Sequence, residues 1–155
     1  PADNRTDYIK RLIGLPGDII QIINKDLYLN GAKIKKEKIE ISSNIYCGNE
    51  ILKANFFKET LPNGKKYVAV YREEGSMMNS DKFIVPKDHY FFMGDNRDCS
   101  KDSRFLSSVG YVNFNNLVGK AQLIFFSNDE KENQSTDGLF GEYMSLSFSG
   151  RNFAV

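Results

Sequence analysis

The segment DYIKRLIGLPGD, residues 7–18, alternates apolar and polar side chains before a turn rich in glycine and proline. With the period of a β-strand, Tyr8, Lys10 and Leu12 lie on one face and Arg11 lies on the other. A lysine between apolar neighbours either extends its amine to water or is held in place for chemistry. The segment therefore predicts a strand that carries an unusual lysine.

Most of the remaining sequence also predicts strands separated by turns. Asn30-Gly31 lies between two short apolar runs and favours a hairpin, since both residues tolerate the positive φ of a type I′ turn. Residues 39–61 fit no element clearly, and residues 72–82 are typical of a loop. The pattern predicts a mostly β fold of antiparallel sheets with long connections. The predicted strands lie within residues 18–24, 27–34, 65–72, 81–95 and 117–127.

The composition is that of an ordinary globular protein without a strong net charge. A length of 155 residues suits one domain, or one core with a smaller lobe. The 21 basic and 20 acidic residues leave a formal charge of +1. This balance gives no electrostatic signature for nucleic acid, so we expect no nucleic-acid partner.

The cysteine and histidine content argues against a metal site. Cys47 and Cys99 are far apart, and His89 is the sole histidine of the sequence. Neither a Cys-x-x-Cys motif nor a histidine cluster is present, so we expect no metal. The two cysteines are equally compatible with a disulfide and with two thiols.

The segment GDNRDCSKDSR, residues 94–104, surrounds two serines with charged side chains of both signs. Such a sequence suits an irregular loop held by side-chain to backbone hydrogen bonds. Its spacing does not match the twelve-residue calcium loop, and the glutamate that closes such a loop is absent. A solvated structural loop and a functional loop both remain open.

A serine in this loop would complement Lys10. Near pH 7, roughly one free lysine in a thousand or fewer is neutral, because its pKa is about 10.4. A pKa about three units lower requires about 4 kcal/mol of differential interaction, which burial among apolar groups can supply. The sequence thus admits a Ser/Lys dyad, while the alternative is a surface lysine that extends to water.

Both segments resemble the boxes that characterise bacterial signal peptidase I, the leader peptidase. YIKRLIGLPGD is similar to the family box with the general-base lysine, and GDNRDCSKDSR is similar to the box usually written GDNRDNSxDSR. The boxes occur in the family's order, and the resemblance covers residues 6–34 and 83–127. It implies a signal-peptidase-like β core and a serine endopeptidase that removes signal peptides through a Ser/Lys dyad, without a cofactor.

The resemblance also implies a role for residues of the two boxes. Lys10 would be the general base, and Ser100 would hydrogen-bond its amine and orient it. Gly94 would leave space beside the lysine. The supporting ion pairs and hydrogen bonds of the loop would come from Asp95, Arg97, Asp102 and Arg104, and Arg11 could join them.

Partners and location follow from the same resemblance. The backbone of Asp7, Tyr8 and Ile9 would pair with a signal peptide of an exported preprotein as an added strand. Their side chains would line pockets for the small residues that the family prefers. The protein would be anchored in the bacterial inner (plasma) membrane by an upstream segment, with its catalytic domain on the periplasmic or extracytoplasmic side.

Two features depart from the family pattern. Cys99 stands where the family commonly has Asn, and we expect little effect on chemistry. The family's nucleophilic serine precedes the lysine box in a Ser-Met-x-Pro segment that this sequence lacks, so we expect the 155 residues alone to be inactive. Ser76-Met77 lacks the proline and follows the lysine, and we interpret it as a coincidence.

The resemblance divides the chain into three parts. The catalytic core would comprise residues 1–34 and 83–127, with an inserted β-rich region at 35–82. Residues 128–155 would form a polar loop and a tail that packs on the core. Two other functions remain open: a self-cleaving Ser/Lys protease domain of the LexA type, and a β-rich binding module without catalytic activity.

Overall fold

The computed structural model describes residues 7–121 of the chain. Within that range the chain forms ten strands and no α-helix, which confirms the predicted β fold with antiparallel sheets. No helix in the same range is long and apolar enough to cross a membrane. In chain order the elements are β1 (Arg11–Gly14), β2 (Ile19–Ile23), β3 (Asp26–Leu29), β4 (Ala32–Lys33), β5 (Lys35–Cys47), β6 (Glu50–Thr60), β7 (Lys66–Arg72), β8 (Phe83–Ile84), β9 (His89–Met93), β10 (Val112–Asn113) and a 3-10 turn (Phe114–Asn116).

The strands form three sheets around one apolar core. β9 lies between β1 and β10, a second sheet has the order β4-β3-β2-β8, and a third has the order β5-β6-β7. Every pair of these strands is antiparallel. The buried core cluster consists of Ile13, Ile20, Leu27, Ile34, Leu61, Tyr67, Ala69, Phe83, Val85, Phe91 and Met93.

Turn chemistry matches the sequence prediction at Asn30-Gly31. The two residues have φ values of 53° and 80° and connect β3 to β4, so the predicted hairpin is confirmed. The predicted strand, turn and strand of residues 81–95 are also present, as β8 and β9. These elements carry the chain into the charged loop of residues 94–104.

A long hairpin occupies the region that the sequence left unassigned. β5 and β6 pair from Lys35 opposite Thr60 to Cys47 opposite Glu50. β7 pairs with β6 only as far as Ala54. The hairpin end beyond Ala54 is therefore a two-stranded ribbon.

The predicted late strand of residues 117–127 is wrong in the part that the structure describes. Residues 117–121 lie in no strand, because the chain leaves β10 through the 3-10 turn and remains largely exposed. Residues 122–127 and the tail at 128–155 lie outside the described residues. The proposed division into core, insert and tail stays a prediction.

Candidate active site

The pairing of β1 with β9 brings the two sequence boxes together. Arg11 lies opposite Met93 and Leu12 opposite Phe92. Lys10 directly precedes Arg11 and Gly94 directly follows Met93, so both residues adjoin the end of this pairing. The lysine before β1 therefore lies near the start of the charged loop.

Lys10 lies in a partly buried position at this junction. Burial lowers the pKa of its amine from the ordinary 10.5, while the carboxylates of Asp102 and Asp95 act in the opposite direction. The Tyr8 ring centroid lies 5.1 Å from Nζ. Desolvation outweighs the nearby negative charges, so the neutral amine is favoured more than in a free lysine.

Ser100 fills the space beside Gly94. Its Oγ and Cβ would both overlap a Cβ at position 94, so this close approach requires glycine. The resemblance implies that Gly94 leaves space beside the lysine, and the structure places the Ser100 side chain against Gly94. Among the described residues Lys10 and Ser100 share no hydrogen bond, so the orienting role of Ser100 stays a prediction.

The end of the charged loop is fixed by buried side chains. Asp102 is fully buried; its Oδ2 accepts a hydrogen bond from the Gly94 N–H at 2.9 Å and one from Arg104 Nη2 at 2.7 Å. Ser103 bonds Phe92 twice, through its hydroxyl and its own N–H. These contacts join the part of the loop after Ser100 to β9 and to Gly94.

Arg11 connects β1 to the start of the same loop. Its Nε and Nη2 donate to the two carboxylate oxygens of Asp95 at 2.6 and 2.7 Å. Its guanidinium lies 4.0 Å from the centroid of the Tyr67 ring. A bidentate pair of this kind fixes geometry as well as charge.

Arg97 anchors the first part of the loop, before Ser100, to the third sheet. It is fully buried, and Nη2 donates to Glu59 Oε2 at 2.7 Å. The hydroxyls of Tyr67 and Tyr71 also donate to Glu59. Burial raises the pKa of both tyrosines above their usual range, which keeps them as donors. Sequence reasoning missed Glu59, Tyr67 and Tyr71, because no local pattern links them to Arg97.

Asp98 ties the loop to the segment that follows β7. Its Oδ2 accepts hydrogen bonds from the Arg72 N–H at 2.8 Å and from the Ser76 hydroxyl at 2.6 Å. Ser76 is buried, and its Oγ also lies 3.1 Å from the Arg72 carbonyl oxygen. The Ser76 hydroxyl therefore takes part in the contact between the charged loop and the segment that follows β7.

A disulfide joins Cys47 to Cys99, the residue before Ser100. Their Cα atoms are 5.3 Å apart, although 52 residues separate them in sequence. The cysteine count had left a disulfide and two thiols equally open. The bond connects the end of β5 to the charged loop.

The predicted substrate-binding residues precede β1. Asp7 and Tyr8 are half-buried, and Ile9 is exposed. Within the described residues, β1 is an edge strand of its sheet. Residues 7–9 lie in no strand and lead through Lys10 into this edge strand, and an extended peptide can add to a strand of this kind.

Metal binding has no support in the described residues. Between residues 7 and 121, no group of three or more His, Cys, Asp or Glu side chains is arranged around a common point.

The sequence of the chain matches a known protein family. Residues 1–126 match the family model described as signal peptidase, peptidase S26. The chain belongs to this signal peptidase family. The matched range contains β1, the charged loop and the third sheet that supports it.

Curated relatives carry the same family name. The chain is 47% identical over 134 residues to a Signal peptidase I of Rickettsia bellii, covering 82% of this chain and 44% of that protein. It is 46% identical over 136 residues to the Signal peptidase I of Rickettsia conorii, covering 82% and 48%. The chain thus spans less than half the length of these relatives.

A solved structure also resembles part of the chain. It is a crystal structure of a signal peptidase I from Enterococcus faecalis, with 27% identity and a TM-score of 0.33. The match covers 68% of this chain and 74% of the other.

Proposed function

We propose that the whole protein is a serine endopeptidase that removes signal peptides from exported preproteins. Lys10 is its general base, and Ser100 orients the amine. The nucleophile is a serine outside the 155 residues, since none precedes Lys10 in this sequence and the hydroxyl of Ser76 bonds Asp98. The 155 residues alone are accordingly inactive.

One observation carries this proposal: a lysine amine whose pKa burial lowers, next to the loop that holds Ser100. A charged lysine cannot accept a proton, and burial favours the neutral amine that can. A surface lysine with a purely structural role would not need such burial. Asp102 and Asp95 limit the effect and stabilise the ammonium that forms during reaction. An amine whose pKa is lowered holds its proton less tightly, which suits a group that must take and return one proton.

The formation of the acyl-enzyme requires two proton transfers, both through the Lys10 amine. The neutral Lys10 amine takes the proton of the serine hydroxyl as its oxygen bonds the scissile carbonyl carbon. The resulting ammonium gives that proton to the departing amine, and an acyl-enzyme remains. Water then reacts in the same way, and the ester bond breaks to release the signal peptide.

The substrate would bind along the sheet edge at Asp7, Tyr8 and Ile9. Main-chain hydrogen bonds to these residues would hold the peptide extended, and alternate side chains would point into pockets. The family preference implies small residues at the first and third positions before the cut. We place the domain on the extracytoplasmic side of the inner membrane, where a disulfide such as Cys47–Cys99 forms readily.

A cleavage assay on the full-length protein tests the proposal. Lys10→Met should abolish release of the signal peptide from a preprotein, because methionine has similar length but takes no proton. Lys82→Met is the control, since Lys82 is exposed before β8. Cleavage that survives Lys10→Met would refute the assigned base.

The same assay separates the two other functions. A non-catalytic binding module would bind the signal peptide without cutting it. A LexA-type domain would cut its own chain in preference to a preprotein. Either result would replace the proposed function.

A further inference from the structure

We infer that the Cys47–Cys99 disulfide positions Ser100, so that the activity of the site depends on the oxidation of this bond. The inference rests on the proposed function for its effect on catalysis. Its structural part, the restraint of the loop, stands on the contacts alone.

Hydrogen bonds anchor the loop firmly on either side of Ser100 but sparsely at its centre. Asp98 accepts two hydrogen bonds before it, and Asp102 is bonded to Gly94 and Arg104 after it. Between these anchors, the described residues contribute one backbone hydrogen bond, from the Cys99 N–H to Asn96 Oδ1 at 3.3 Å. The disulfide is therefore the strongest restraint on the residue that precedes Ser100.

The other end of the bond lies on the unsupported end of the β5–β6 hairpin, which needs a restraint itself. Near Cys47 the ribbon has two strands, since β7 ends its pairing at Ala54. Two-stranded ribbons are marginal when unsupported, and Tyr46 and Ile51 at this end are more than half exposed. The disulfide fixes the ribbon and the loop to each other.

Ser100 has little room to tolerate movement. Its side chain occupies the space beside Gly94, the residue that follows the Arg11–Met93 pair of the sheet. A displacement of the loop centre would move the hydroxyl away from the amine. Misplacement by about 1 Å is enough to cost a large part of a catalytic rate.

The chemical change is a thiol–disulfide exchange. A dithiol reductant gives two electrons and two protons, the S–S bond breaks, Cys47 and Cys99 become thiols, and the reductant becomes a disulfide. In the reverse reaction, a protein of the export compartment that carries a disulfide would oxidise the two thiols, and its own disulfide would become a dithiol. The site would then become fully active only after transfer to an oxidising compartment.

The first experiment measures cleavage of a preprotein by the full-length protein, before and after reduction with dithiothreitol. We expect kcat to fall about fivefold or more on reduction, with KM within twofold. Cys47→Ser should reproduce the reduced value and should not respond to dithiothreitol. Equal kcat in both redox states, or two alkylatable thiols in the protein isolated from an oxidising compartment, would overturn the inference.

A second variant tests whether the bond acts through Ser100. In Ser100→Ala, reduction should lower the remaining kcat by less than 1.5-fold, because no hydroxyl is left to misplace. A fivefold loss in this variant would assign the disulfide a general structural role and contradict the inference.

Hydrogen exchange of the same full-length protein gives a readout independent of catalysis. Reduction should speed exchange of residues 98–101 about tenfold, while β9 stays protected. Unchanged exchange in the loop would overturn the inference, even if no preprotein is cleaved. A protein with the exchange response and no cleavage in either state would instead refute the proposed function.

Discussion

Ser100 occupies the volume that a side chain at position 94 would need, since its Oγ and Cβ would both overlap a Cβ built on Gly94. Gly94 in turn donates its N–H to buried Asp102. The glycine is thus required by a close approach, and it allows the Ser100 side chain to lie against β9's continuation into the loop.

Gly94→Ala should lower kcat/KM of the full-length protein about 100-fold, because the methyl group displaces Ser100 by the order of 1 Å. The measurement is signal-peptide release at matched concentrations of folded protein. Gly14→Ala is the matched control, since its Cβ would also overlap a neighbour, Ile20, but far from Ser100. Equal activity loss in both variants would contradict a specific role for the Gly94–Ser100 contact.

Glu59→Gln should destabilise the chain by about 3–5 kcal/mol, because it leaves the charge of buried Arg97 without its partner. Urea unfolding of the 155-residue chain measures the change. Glu37→Gln removes an exposed ion pair with Lys35 and should leave stability unchanged. If the two variants were equally stable, the buried pair would not hold the loop.

Ser76→Ala should leave cleavage by the full-length protein within about twofold of wild type. Its hydroxyl bonds Asp98 and lies 3.1 Å from the Arg72 carbonyl oxygen, so the expected cost is about 1 kcal/mol of stability. The assay is preprotein cleavage together with thermal unfolding. Complete loss of turnover with an intact fold would identify Ser76 as the nucleophile.

Lys10→Met should raise the Tm of the chain near pH 7. Burial lowers the pKa of Lys10 in the folded chain, so the unfolded chain binds more protons between the folded-state pKa and 10.5. The stability of the wild type therefore rises with pH across that interval. As a result, the difference in Tm between the wild type and Lys10→Met should shrink as pH rises. A Tm difference that is zero at pH 7 or grows towards pH 10.5 would show that burial of Lys10 carries no cost.

Local sequence signals predicted the parts of the fold that depend on neighbours in the chain. Asn30-Gly31 set the β3–β4 turn through its positive φ values. The long β5–β6 hairpin was missed because its pairing is irregular between Ile39 and Ser42, and because adjacent Phe56 and Phe57 obscure the alternation of β6.

The candidate site residues were proposed from two continuous motifs of the sequence. The support of the site was missed where partners are distant: Glu59 lies 38 residues from Arg97, and Tyr67 lies 30 residues from it. A buried pair of this kind arises from packing between sheets, and no period in the sequence reports it. The Cys47–Cys99 bond was left open for the same reason, since a count of two cysteines does not establish their proximity.

Direct titration of the Lys10 amine tests the central claim. With ¹³C-labelled lysine, the Lys10 side-chain signal can be assigned by its loss in Lys10→Arg and followed by NMR as pH rises. The account predicts a midpoint below 10.5, lower than that of exposed lysines such as Lys82 in the same spectra. A midpoint equal to or above that of the exposed lysines would contradict the assignment of Lys10 as a general base.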